Sequence, residues 1–251
     1  MKRPLLILII VVLGLATAGG AFWFLGGSRE DSSKEEAMEE KVSDELPMED
    51  RPFVSLTPTS DGHEFSLSVS GIPRGLESLE YELVYKVSSG ITQGVPGSVK
   101  LKGKRSITRD LLLGTCSSGK CRYDKGVKDG TFTLRLRDDD GKLVAKFETD
   151  FHLRQGGKEL SSADGGFSVS SKDLSRSAFY ITMGTFGVPK DAPGEVTEGP
   201  YGVFTQGKTK VSGDVDMDGD GSLYGWNGKK WVELDDAETS SLGTFVRVAS
   251  E

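Results

Sequence analysis

The fold is decided by the stretch FTLRLRDDDGKLVAKFETDF, which runs from Phe132 to Phe151. Apolar and polar residues alternate from Phe132 to Arg137, which is the pattern of a strand with one buried face and one solvent-exposed face. Asp140-Gly141 supplies the residues that a tight turn requires, and a second apolar segment follows from Leu143 to Phe151. The stretch therefore predicts a β-hairpin.

Segments on both sides of this hairpin also have strand patterns. Four of them, each bounded by residues typical of turns, are Phe65–Val69, Leu79–Tyr85, Phe179–Phe186 and Gly243–Val248. The turn signals between residues 53 and 154 are spaced as they are in sandwich folds. We therefore predict an all-β protein with two small β-sandwich-like domains.

A change in charge divides the β-rich region into two predicted domains. Residues 53–154 contain 16 basic and 13 acidic residues, whereas residues 155–251 contain 9 basic and 15 acidic residues. A Gly/Ser-rich stretch at residues 155–166 is typical of a hinge. We predict one domain at residues 53–156 and a second at residues 157–251.

The first predicted domain resembles an immunoglobulin or fibronectin type III sandwich. The resemblance lies in the order of its strands and in the tyrosines of one of them, Tyr81 and Tyr85. It is architectural, covers about 100 residues and has no specific motif behind it. It implies a fold and no particular activity, because sandwiches of this kind host unrelated functions.

An uncharged apolar stretch lies near the N-terminus, from Pro4 to Phe24. A helix of about 21 residues spans about 31 Å, which matches the hydrocarbon core of a bilayer. Lys2 and Arg3 precede the stretch, so the positive-inside rule places Met1 in the cytoplasm and the bulk of the chain outside. We predict a transmembrane signal anchor at residues 1–27 and an extracytoplasmic location for the rest.

Two other interpretations of the apolar stretch stay open. Ala16-Thr17-Ala18 has the small-x-small form that a signal peptidase accepts, so the stretch could be a cleaved signal peptide. Against this, the apolar run continues through Phe22 to Leu25, beyond the point where a signal peptide turns polar. A buried helix of a soluble domain is the third interpretation. We favour the retained anchor.

An acidic spacer follows the predicted anchor. Residues 28–52 contain ten acidic and four basic residues, with almost no large apolar side chains. Such a segment cannot bury enough surface to offset the entropy lost on ordering, and its charges repel one another. We predict a disordered linker that holds the β-domains away from the membrane; an acidic tail that binds a partner is the alternative.

Two cysteines, Cys116 and Cys121, are the only ones in the chain. Outside the cytoplasm, a pair at this spacing is most simply a disulfide that closes a tight turn. Free thiols and redox or metal chemistry are the alternatives, but the two histidines, His63 and His152, lie far away in sequence. A CxxC motif would also have two intervening residues instead of four. We predict a structural disulfide.

The sharpest functional signal is an acidic loop between Gly213 and Gly221. Carboxylates at alternate positions followed by glycine can surround a hard cation such as Ca²⁺. The loop resembles the DxDxDG calcium loops of EF-hands, dockerins and thrombospondin type 3 repeats, and the matching residues are Asp214, Asp216, Asp218, Gly219 and Asp220. An EF-hand has a glutamate at the twelfth position, where this chain has Gly225. A calcium site and an acidic hairpin tip without metal both remain open.

A second hairpin is predicted from Leu223 to Leu234. Asn227-Gly228 fits a two-residue type I′ turn and brings Trp226 and Trp231 close to facing one another. The pattern resembles β-domains of bacterial surface proteins. Two inward-facing rings would belong to the core, which we favour, and two exposed rings would form a carbohydrate platform.

Basic residues surround the predicted disulfide. They are Lys100, Lys102, Lys104, Arg105, Arg109, Lys120, Arg122, Lys125 and Lys128. Lys100 and Lys102 alternate with apolar residues, so both are expected on the solvent face of a strand. A basic face outside a cell could meet an envelope polysaccharide or another anionic polymer, lipid head groups or extracellular nucleic acid. An ordinary solvated strand face is the alternative, and we favour it.

No catalytic constellation is apparent. The chain contains no G-x-S-x-G, S-x-x-K or H-E-x-x-H motif, and we predict that it is not an enzyme. The chain as a whole resembles membrane-anchored bacterial surface proteins, which implies non-catalytic binding or envelope structure. The alternatives are a calcium-stabilised carbohydrate- or polymer-binding module and, after it, a carbohydrate-active enzyme.

Overall fold

The computed structural model describes residues 46–250; the predicted anchor and residues 28–45 of the predicted linker lie outside the described residues. The first half contains β1 (Phe53–Pro58), β2 (Glu64–Ser70), β3 (Ser78–Lys86), β4 (Thr92–Lys100), β5 (Ser106–Leu112), β6 (Gly114–Ser117), β7 (Lys120–Tyr123), β8 (Asp129–Arg137) and β9 (Leu143–Gln155). The second contains β10 (Glu159–Ser161), β11 (Phe167–Ser170), β12 (Phe179–Gly184), β13 (Val196–Phe204), β14 (Gly213–Met217), β15 (Ser222–Trp226), β16 (Trp231–Glu233), β17 (Glu238–Thr239) and β18 (Thr244–Val248). Short 3₁₀ turns occupy Met48–Asp50 and Asp235–Ala237.

The strands form an all-β, sandwich-like fold of antiparallel sheets, as the alternating pattern predicts. The largest sheet in the described part of the chain has nine strands in the order β16-β15-β18-β13-β12-β9-β8-β3-β4. The hairpin predicted from Phe132 to Phe151 is confirmed as β8 and β9, and the Asp138 N–H donates to the Lys142 carbonyl at its turn.

Two smaller sheets pack on the nine-stranded sheet. Strand β12 shows how, because successive side chains of a strand point to opposite faces. Ile181 and Met183 join a buried cluster with Leu67 of the three-stranded sheet β1-β2-β5. Tyr180, on the other face, joins a second cluster with Val169 of the four-stranded sheet β10-β11-β14-β17. The two small sheets therefore cover opposite faces of the large one.

The predicted hinge lies between two strands of the same sheet. Residues of β9 pair with β12 from Phe151↔Met183 to Gln155↔Phe179, on either side of Gly157. Two hydrophobic clusters are nevertheless present. The division into two domains at this position stays a prediction, but hydrogen bonds join the two halves.

The last residues of the predicted acidic linker are ordered. Leu46 packs against the first hydrophobic cluster, and its carbonyl accepts a 2.7 Å hydrogen bond from Arg51 Nε. Pro52 is buried. The acidic run ends in a segment that contacts the β-structure because Leu46 and Pro52 supply apolar surface that the preceding residues lack.

Candidate functional site

A cleft of about 870 Å³ lies beside the hairpin that β6 and β7 form. We call it the hairpin cleft, and the residues that line it include His63, Tyr85, Ile91, Arg122, Tyr123, Asp124 and Lys125. Ile91 is 58% exposed and Tyr123 is 39% exposed, which places both among the few large hydrophobic side chains exposed in residues 46–250. A concave site that combines apolar side chains with a few polar or charged groups is a candidate binding site.

The hairpin itself is closed by the predicted disulfide, which is confirmed. Cys116 and Cys121 are directly opposite each other on β6 and β7 and are bonded. Ser118 and Gly119 between the strands both have positive φ, 51° and 77°, as a type I′ turn requires. No side chain of β6 or β7 is buried, so this hairpin gains little from packing and depends on its crosslink.

Contacts at the base of the hairpin attach it to the large sheet. The Tyr85 hydroxyl donates a 2.9 Å hydrogen bond to Asp124 Oδ2, and the Asp124 N–H donates to the Leu113 carbonyl. Burial raises the pKa of Tyr85, and the Asp124 carboxylate raises it further, because it accepts a hydrogen bond from the hydroxyl and would repel a phenolate. Tyr85 therefore remains a hydrogen-bond donor.

An aromatic stack forms one wall of the cleft. The rings of His63 and Tyr123 are 4.1 Å apart between centroids and only 5° from parallel. The Asp61 carboxylate fixes the histidine, since it lies 3.3 Å from His63 Nδ1 and accepts the His63 backbone N–H. Hydrogen bonds from the Thr59 hydroxyl and the His63 N–H hold the pKa of Asp61 below its usual value. The stack thus fixes the plane of Tyr123.

Comparisons with known proteins show no family for this chain. No family model and no curated protein matches it. Among solved structures, a similar chain is a glycosyl hydrolase family 2 member from Bacteroides cellulosilyticus, with 14% sequence identity and a TM-score of 0.24. The match covers 45% of this chain and 15% of that one. A TM-score this low supports no inference about function.

The nine predicted basic residues are all exposed, but the structure does not bring them together. Arg122 and Lys125 line the hairpin cleft. Lys100 lies at the end of β4, and Arg105 instead donates to the Ile72 carbonyl. The sequence therefore identified two cations of the cleft within a larger set of solvated side chains.

The predicted calcium residues lie along a strand and in the turn after it. Asp214 and Asp216 are exposed on β14, and Asp218 and Asp220 follow in the turn. Asp214 faces Glu238 of β17. Within residues 46–250, no group of three or more His, Cys, Asp or Glu side chains is arranged to hold a metal ion. The calcium site stays a prediction.

The tryptophan hairpin is confirmed, but its predicted turn is wrong. Trp226 and Trp231 are directly opposite, with ring centroids 5.5 Å apart. The loop between them has four residues, and its Asn227 side chain accepts hydrogen bonds from the N–H groups of Lys229 and Lys230. Only Gly228 has a positive φ there. Both rings are half-buried outside the two clusters, and Trp231 Nε1 donates to the Lys190 carbonyl.

The second histidine has structural partners. His152 Nε2 lies 3.0 Å from Asp129 Oδ1, and its Nδ1 lies 3.0 Å from the Ser161 carbonyl oxygen. A Ser-His-Asp triad requires one imidazole nitrogen to face a hydroxyl nucleophile, and here both nitrogens face other groups. This histidine therefore joins β9 to β8 and β10.

A smaller pocket of about 340 Å³ contains three carboxylates, those of Glu148, Asp150 and Asp164. Thr131 donates to Asp150, and Tyr201 donates to Asp164 at 2.7 Å. Burial alone would raise the pKa of Asp164, but hydrogen bonds from Ser162, Tyr201 and the Gly166 N–H outweigh burial and lower it. This carboxyl is therefore held in its ionised form.

Sequence reasoning missed the aromatic part of the hairpin cleft. His63 and Tyr123 are 60 positions apart, and nothing in the local pattern of either indicates that the two rings stack. The available signal was Tyr123, two positions after Cys121 in a short crosslinked hairpin. Within the described residues 46–250, no helix has the length and apolar character needed to cross a membrane.

Proposed function

We propose that the chain is a membrane-anchored, extracytoplasmic and non-catalytic binding module. Residues 1–27 would anchor it with Met1 in the cytoplasm, and the acidic residues 28–45 would hold the β-structure away from the bilayer. The ligand would be an envelope polysaccharide or another anionic polymer, bound at the hairpin cleft.

One observation supports this choice most directly. The hairpin cleft combines two exposed apolar side chains, Ile91 and Tyr123, with two cations, Arg122 and Lys125. Neither cation forms an ion pair with any of residues 46–250, so both are available to a ligand. The disulfide fixes their hairpin and fits an oxidising compartment.

The alternative is a carbohydrate-active enzyme, in which the three-carboxylate pocket would be the active site. Glycoside hydrolysis requires a carboxylic acid that stays protonated, with a raised pKa. The pKa of Asp164 is lowered instead. Asp164 is therefore not suited to be that acid.

The test is binding of full-length protein in lipid nanodiscs to polymers of different charge. We expect binding to alginate and to dextran sulfate, no binding to neutral dextran, and weaker binding at high salt because exposed charges are screened. Replacing both Arg122 and Lys125 with serine should weaken binding by about tenfold or more, the factor for one to two charge-assisted contacts.

The matched control replaces Lys229 and Lys230 with serine. These residues are equally exposed and lie on the tryptophan hairpin, so the change in net charge is the same. Equal losses in the two double variants would show that only overall charge matters and would contradict a site at the hairpin cleft. Protease accessibility on intact cells tests the proposed orientation separately.

A further inference from the structure

The Tyr123 ring offers a fixed, flat apolar surface within the hairpin cleft. One of its faces is covered by the parallel His63 ring, so its exposed surface lies on the opposite face and the edge. The residue across from it on β6 is Gly114, which has no side chain to cover the ring. A glycine is required there, because a Cβ would lie 2.2 Å from the Arg122 carbonyl oxygen and φ is +143°.

A sugar ring has the chemistry that such a surface binds. One face of a pyranose carries carbon-bound hydrogens, which are apolar and slightly positive, and an aromatic face is apolar and slightly negative. Because stacking on His63 already fixes the plane of Tyr123, little conformational freedom is lost when a ligand packs on it. The ring is thus organised before binding.

Two cations, Arg122 and Lys125, line the same cleft and add a requirement for negative charge. The guanidinium of Arg122 presents paired N–H donors that match a carboxylate, and the Lys125 ammonium adds a point charge. Asp124, the acidic residue between them in the chain, accepts the Tyr85 hydroxyl hydrogen bond. Asp124 keeps its negative charge in this contact, so the two cations and one carboxylate leave one net positive charge to attract an anionic group on the ligand.

The charge of the whole chain disfavours a densely charged polymer. Its formal net charge is −7, and only Arg122 and Lys125 contribute full positive charges to the cleft wall at neutral pH. Nucleic acid and polyphosphate bind mainly through many phosphate contacts along a basic surface. A polymer with one carboxylate per sugar and apolar ring faces needs fewer cations.

We infer that the hairpin cleft recognises an acidic polysaccharide, with a uronate-type ring stacked on Tyr123 and carboxylates of the same polymer paired with Arg122 and Lys125. This inference rests on the proposed function and names the ligand class for the same site. Tyr123 supplies the sugar-binding surface, and His63 is a positioning residue that fixes its orientation.

The experiment uses the full-length protein in nanodiscs and three probes: an oligogalacturonate, the same oligosaccharide with its carboxyls reduced to alcohols, and polyphosphate. Oligogalacturonate should bind at least about tenfold more tightly than either of the others, since they lack the carboxylate or the sugar ring. Tyr123→Phe should retain affinity within about threefold, because it keeps the aromatic face. Tyr123→Leu should lose about tenfold.

Three results would be decisive. Equal binding of polyphosphate and oligogalacturonate, unchanged in Tyr123→Leu, would overturn the acidic-sugar inference and leave the proposed binding of anionic polymers intact. Equal binding of the reduced oligosaccharide would overturn the role of the cations. No binding of any polyanion would overturn the proposed function itself. An unchanged melting temperature of Tyr123→Leu shows that a loss of affinity is not a loss of fold.

Discussion

The Tyr85 hydroxyl donates a 2.9 Å hydrogen bond to the Asp124 carboxylate and thereby joins the C-terminal end of β3 to the base of the disulfide hairpin. Tyr85 is only 2% exposed, so the ring packs in the first hydrophobic cluster while its hydroxyl reaches the hairpin cleft. One side chain thus serves the core and positions the candidate site.

Removing this hydroxyl should destabilise the protein. We expect Tyr85→Phe to lower the free energy of unfolding by about 1.5 kcal/mol, the usual contribution of a hydrogen bond to a charged group. Tyr81→Phe is the control, because Tyr81 is also buried on β3 and its hydroxyl has no hydrogen-bond partner in residues 46–250. Urea denaturation measures both; equal losses would show that the Asp124 contact contributes nothing.

The disulfide should act locally. With Cys116 and Cys121 both replaced by serine, amide exchange in residues 114–123 should become up to about 30-fold faster, which corresponds to about 2 kcal/mol for a ring of this size. Exchange in β8 and β9 should not change, because the hairpin buries no side chain of its own. Faster exchange throughout the sheet would contradict this prediction and show that the disulfide stabilises the whole fold.

Much of the fold follows from local pattern. The alternation in β3 and in β8 identifies strands with one buried face, and Asp140-Gly141 predicts the connection between β8 and β9. Alternation shows which face of a strand is buried, but it does not show which strand lies next to it. The pairing of β9 with β12 across Gly157 therefore could not be predicted from the sequence.

The site was predictable only in part for the same reason. Arg122, Lys125 and the disulfide stand close together in the chain, and the sequence singled them out. The His63 ring reaches Tyr123 because β2 pairs with β5 and β5 leads into β6, which is a relationship between distant residues. Tertiary contacts of this kind leave no periodic signal.

Calcium should not stabilise the protein. Along a strand, Cα atoms two residues apart are separated by about 6.8 Å, so the backbone at Asp214 and Asp216 is extended and does not wrap around one point as a calcium loop does. A site with a Kd of about 10 μM would add about 2.7 kcal/mol at 1 mM calcium. We expect no shift of the melting temperature. A rise of several degrees that chelator reverses, and that Asp216→Asn abolishes, would instead support the calcium-stabilised alternative.

Lowering the pH should remove a small contribution of Asp164 to the free energy of unfolding. Its pKa is lowered in the folded state from the ordinary value of 3.8, so it stabilises the fold above that pH and the contribution disappears as pH falls through the lower folded-state value. Asp164 is exposed, which limits the effect to less than about 1 kcal/mol. Urea midpoints at pH 7 and pH 3 should therefore differ less in Asp164→Asn than in the unmodified protein. Asp139→Asn, at an exposed turn, is the control and should not change this difference.

The two halves of the nine-stranded sheet should unfold together. Leu134→Ala removes buried surface from the first hydrophobic cluster only, and large-to-small changes at such positions cost about 2–5 kcal/mol. The Trp226–Trp231 pair reports on the other half. Because the last five residues of β9 pair with β12, we expect the tryptophan fluorescence midpoint to shift as far as the circular dichroism midpoint. An unchanged tryptophan midpoint would contradict this coupling and support two independent domains that meet near Gly157.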